Sequence, residues 1–151
     1  MGAIDATTGA LKLDDYDTAI GPHLGRAAFL AAPVGQAARD LTVNEPWHSW
    51  KLACRIGGEA FMLALYFHGE TLDMAVLALS DGRYGTSWDD YSEDKEKARH
   101  AAHRRWIDDE LKRYGKSLWS GSRRTFPWGA VSADYDPRSG GASIVITYGR
   151  R

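Results

Sequence analysis

The chain has 151 residues, a formal net charge of −1, 44% apolar and 26% charged residues, and one cysteine. That is an ordinary globular mix in a length that favours one domain and can bury a core without covalent staples. A single cysteine excludes an internal disulfide, the longest apolar stretch (60–67) is too short to span a membrane, and the near-neutral charge lacks the broad basic footprint of a nucleic-acid binder.

The start, MGAIDATTG, has no charged region followed by an apolar run, so no signal peptide is expected and a cytoplasmic location fits best. Residues 9–13 (GALKL) suit a short strand, and 14–17 (DDYD) an acidic turn. Gly and Pro then interrupt the chain repeatedly as far as Pro46, leaving room for a short helical turn over 26–31. Between Pro33 and Pro46 the pattern reads as irregular chain or a weak strand.

From Trp47 the pattern sharpens. His48, Trp50, Leu52, Cys54 and Ile56 alternate with Ser49, Lys51, Ala53 and Arg55, the period of a strand with one buried face. Gly57-Gly58 is a two-residue hairpin signal. In the next run Phe61, Leu63, Leu65 and Phe67 point one way, with Ala60, Met62, Ala64 and Tyr66 opposite. Both faces are apolar, which predicts a central strand covered on both sides. After the turn at His68-Gly69-Glu70, residues 71–79 read the same way, completing an antiparallel meander.

The loop SDGRYGTSWDDY leads to one long helix. Ser92 is a good N-cap, and Glu93, Asp94 and Glu96 suit the positive end of the helix dipole. Ala98, Ala102, Trp106, Ile107, Leu111 and Tyr114 recur at helical spacing, and Gly115 is a natural stop. The remaining charged face is expected in solvent, with Asp108 and Lys112 one turn apart. Residues 120–124 (SGSRR) read as a basic surface loop, and 125–135 as a strand whose Pro127 demands an edge or a strand start. Gly129 marks a bulge or a close backbone approach. Residues 136–141 carry turn chemistry, and 142–148 alternate again. The predicted fold is α+β: an antiparallel sheet, a meander plus a C-terminal hairpin, packed against one long helix.

Candidate chemistry is sparse. Cys54 lies on an apolar face and reads as a small buried hydrophobe. His100 and His103, three apart with Glu96 one turn before, lack the spacing of a zinc motif, so a solvated helix face is expected and no metal or cofactor is implied. Four carboxylates fall within 88–94, too irregularly for a calcium loop. No phosphate-binding glycine loop, nucleophile elbow or paired-cysteine motif occurs, and no catalytic residue is assigned. The charge is uneven: residues 1–90 hold 6 basic and 12 acidic side chains, residues 91–151 hold 13 and 8. Either this asymmetry steers a partner or the two halves meet on folding.

The meander, the acid-capped helix and the ending "FPWG … YDPRSGGASIVITY" together resemble the immunity proteins encoded beside secreted bacterial toxins in interbacterial competition systems such as type VI secretion. The resemblance implies a non-enzymatic protein that binds a cognate toxin and blocks its active site; the charge and the short apolar runs add that no nucleic-acid or membrane partner is expected, and a homodimer is compatible. The residues best placed for that contact are Tyr84, Trp88, Asp89, Asp90, Tyr91 and Glu93, aromatic anchors among acids in a hydrophilic loop. Two other readings fit the pattern: a small-molecule-binding or enzymatic domain with a pocket between sheet and helix, and an assembly subunit using the C-terminal hairpin edge.

Overall fold

The alternation from Trp47 onward closes into hairpins, and these hairpins frame the whole molecule. The computed structural model describes residues 3–5, 7–41, 44–81, 84, 91–111, 119–120, 123–138 and 140–149. In chain order the elements are α1 (Arg26–Ala31), α2 (Pro33–Ala37), β1 (Arg39–Asp40), β2 (Trp47–Ile56), β3 (Glu59–His68), β4 (Thr71–Leu79), α3 (Glu93–Leu111), β5 (Trp119–Ser120), β6 (Arg123–Phe126), β7 (Gly129–Asp136) and β8 (Gly141–Tyr148). The strands form one antiparallel sheet in the order β1-β2-β3-β4-β8-β7-β6-β5. Two meanders are thus joined along β4 and β8. The connection through α3 carries the chain away, and the last strand returns to the middle.

The two faces of this sheet have different fates. Trp50, Leu52, Phe61, Leu63, Leu65, Phe67, Leu77, Ile144 and Ile146 point into one core. The core is covered by α3, where Trp106 meets Phe61 edge-on at 5.2 Å, and by the N-terminal segment. That segment is pinned at several points. Ile4, Leu11 and Ile20 pair with one another as isolated bridges and are buried. Phe29 of α1 packs on Phe67 and Trp50 at 5.5 and 5.6 Å. The Asp14 carboxylate accepts the Gly57 and Gly58 N–H groups at 3.1 and 2.8 Å, and the Tyr148 hydroxyl donates to Gly9 O at 2.9 Å. Residues 9–13 therefore make bridges instead of a strand, and 33–37 form α2. The opposite face of β3 is a correction: Met62, Ala64 and Tyr66 are only half-buried, with no described element covering them. Both covering elements went to the same side, where the larger side chains offered more area to bury.

Two further differences concern the C-terminal third. The run 125–135 is not one strand. Pro127 and Trp128 turn between β6 and β7, which suits a proline that has no N–H for a ladder. Gly129, at φ +154, makes the close approach expected of it: a Cβ there would stand 1.9 Å from Thr147 O. Arg124 is also not in a surface loop. It lies in β6, is buried, and donates to Leu111 O at 2.6 Å, capping the last described turn of α3.

The start of α3 follows its sequence signal. Ser92 Oγ accepts the Lys95 N–H at 3.0 Å. Ser92→Ala is expected to cost about 1 kcal/mol, read as a lower urea midpoint with an unchanged slope. Tyr114, Lys112 and Gly115 lie outside the described residues.

Candidate functional site

The face of α3 that carries Glu96, Arg99 and His103 is where sequence reasoning failed most. All three are buried, at 4%, 8% and 0% exposure, whereas Ala98 of the expected apolar stripe is exposed. The cause lies in the sheet. Pairing between β4 and β8 extends only from Met74↔Thr147 to Leu77↔Ile144. Beyond that pair the strands part, and backbone groups that a neighbouring strand would satisfy need other partners. The helix supplies them. His103 Nε2 accepts the Leu79 N–H at 3.0 Å, Arg99 Nε donates to Leu79 O at 2.9 Å, and Glu96 Oε1 accepts the Ala142 N–H at 3.3 Å. Glu96 Oε2 and Arg99 Nη1 form an ion pair inside the wedge, and Arg99 lies over the Tyr84 ring at 5.6 Å.

Because Nε2 of His103 is an acceptor, the proton of its neutral ring sits on Nδ1. Burial, then the neighbouring Arg99 and His100, push its pKa down from 6.5 to about 3. The unfolded chain takes up a proton near pH 6.5, the native one only near pH 3. Between these values the unfolded state binds more protons, so stability is full above pH 6.5 and falls as the pH falls, by up to about 5 kcal/mol. We expect the melting temperature of the wild type to drop more steeply over this window than that of His103→Gln, whose amide oxygen can accept the same N–H. Parallel curves would show that His103 is not the group concerned. Among the described residues no three His, Cys, Asp or Glu side chains gather as a metal site. Cys54 is buried, and its thiol is pushed up to about 12 by burial, with Asp15 and Asp14 adding to the effect.

The expected contact loop is divided. Trp88, Asp89 and Asp90 lie outside the described residues. Tyr84 is 5% exposed beneath Arg99, which removes it from the surface a contact residue needs. Tyr91 is 38% exposed, with its hydroxyl lying against Gly140 in the β7–β8 turn. Glu93 is exposed and pairs with Lys97 at 3.6 Å.

The larger unassigned surface is the second face of the sheet. Register places Met62 opposite Ala78, Ala64 opposite Val76, Tyr66 opposite Met74, and Val76 opposite Val145, all with side chains on this face. A groove of about 420 Å³ runs over it, lined by Leu41, Lys51, Met62, Ala64, Tyr66, Val76, Ala78, Leu79, Ser80 and Arg99. It lies on the side of the sheet away from the main core, with Arg99 of α3 in its lining. At the far end of the same face Trp47, 45% exposed, meets His68 edge-on at 4.9 Å. The apolar alternation of β3 was visible in the sequence; what it could not show was which of the two faces would stay open. No protein-family model, no curated protein and no solved structure matches this chain.

Proposed function

We propose that this is a non-enzymatic binding protein that neutralises a cognate bacterial toxin by docking on it. The observation that carries the reading is the half-exposed apolar sheet face, whose central positions are held by Met62, Ala64, Tyr66, Val76 and Val145. A contiguous apolar face of this kind marks an interaction surface. The polar residues of α3 support the same reading, because Glu96, Arg99 and His103 are engaged with backbone groups of β4 and β8. Tyr91 and Glu93, exposed at the start of α3, are a second candidate contact, and the uneven charge of the chain would speed encounter. We place the protein in the cytoplasm, where Cys54 stays a thiol. No helix among the described residues is long and apolar enough to cross a membrane.

The test is co-purification with the product of the neighbouring reading frame, followed by co-expression. A stable complex and rescue of growth are expected. A toxic neighbour that neither binds nor is silenced would end the reading. The groove favours a second reading, since about 420 Å³ is the size of a small-molecule site. In that case a metabolite panel would raise the melting temperature while the neighbouring product left it unchanged.

A further inference from the structure

The register of the sheet gives the open face a charge pattern that no stretch of sequence displays. Following the pairs across one row, Arg39 stands opposite Lys51, Lys51 opposite Ala64, Ala64 opposite Val76, Val76 opposite Val145, Val145 opposite Ser132, and Ser132 opposite Arg123. Directly paired residues project to the same side, so this is one continuous line of side chains. It begins with two cations, crosses an apolar centre and ends with a third. Lys51 and Arg123 are five strand spacings apart, about 24 Å. Arg39 and Arg123 are exposed and Lys51 lines the groove. None of the three enters an ion pair among the described residues. Of the neighbouring rows, the one through Ser49, Tyr66, Met74, Thr147 and Ala130 carries no charge, while on the other side Asp134, opposite Ser143, sets one exposed carboxylate near Arg123.

Resting on the binding reading above, we propose that this face is the docking surface and that the partner meets it with an apolar patch edged by carboxylates. The central groove takes the apolar side chains. The Arg39–Lys51 pair at one margin and Arg123 at the other select acids set about 24 Å apart. Trp47, on the same face at the end of β2, is the aromatic anchor. A second copy of this chain is the poorer occupant. Two such faces related by a twofold axis bring row ends of like charge together, and like charges juxtaposed across an interface oppose association. A single-stranded nucleic acid is also poorer. It needs a run of aromatic stacking platforms with cations along its path, whereas among the described residues of β2, β3, β4 and β8 this face offers only Tyr66 and, at the end of β2, Trp47, and the cations of the row stand at the margins.

The experiment measures binding of the purified neighbouring-frame product to the full chain at low and physiological salt. The wild type is compared with Arg39→Glu/Lys51→Glu, Arg123→Glu and Val76→Asp. Arg104→Glu, on the exposed side of α3, serves as control. We expect the double charge reversal to weaken binding at least about tenfold and to flatten its salt dependence, with Val76→Asp abolishing it. The charge reversals sit at the margin of the sheet, so they stay informative if Val76→Asp misfolds by circular dichroism. Binding that survives all the reversals within twofold, while the wild type still binds, overturns this inference and leaves the functional reading intact. No binding by the wild type removes both. Two other results also overturn it: a labelled single-stranded oligonucleotide bound by the wild type and lost in the same variants, or a wild-type dimer dissociated by Val76→Asp in sedimentation.

Discussion

Glu96→Ala is expected to destabilise the protein by about 3–5 kcal/mol, more than any exposed substitution on the same helix. The carboxylate does two jobs in a largely buried place, where it is 4% exposed. It compensates the Arg99 guanidinium, and it accepts the Ala142 N–H where β8 has left β4. Truncation removes the counter-charge of a buried cation and leaves a backbone donor unsatisfied at once. Glu96→Gln separates the two contributions. Its amide oxygen can still accept from Ala142, so the difference between the two variants in urea unfolding reports the N–H bond, and the remaining loss reports the charge. A loss under about 1 kcal/mol for Glu96→Ala would mean that Arg99 swings to solvent and that the wedge does not hold the strands.

Phe29→Ala is expected to cost about 3–5 kcal/mol. The ring is fully buried and touches Phe67 and Trp50, so truncation opens a cavity between α1 and the sheet. Phe29 lies in a six-residue helix, too short to hold its shape without tertiary contacts. The consequence should be local as well as global: faster proteolysis within residues 3–38 and a shifted Trp50 emission. Full stability with rapid cleavage of that segment would show that the sheet and α3 fold without it.

Both predictions concern features the sequence concealed. The aliphatic core residues of β2, β3 and β8 were readable because strand alternation has a period of two and is visible over a few residues. The helix start was readable for the same local reason, since Ser92 and the acids after it act within one turn. Glu96, Arg99 and His103 carry no such mark. On a helix wheel they are indistinguishable from a solvated face, and their burial depends on two strands that part company far away in sequence. Arg124 was misread as part of a basic loop for a similar reason, because its partner is a carbonyl at the end of a helix. The candidate contact residues fared unevenly. Tyr91 and Glu93 are on the surface, but Tyr84 found Arg99, a contact that exists only once α3 is docked.

By itself, then, the sequence determined where β2, β3, β4, β8 and the start of α3 lie, and which side chains share a face of those strands, because these depend on neighbours two to four positions away. Only the tertiary structure decided which face of the sheet the N-terminal segment and α3 would cover. It alone set Arg39, Lys51 and Arg123 in one row and turned Glu96, Arg99 and His103 of α3 inward. The physical reason is that burial and register are set by contacts between distant segments, and a residue's pattern along the chain records its direction but not what it will meet.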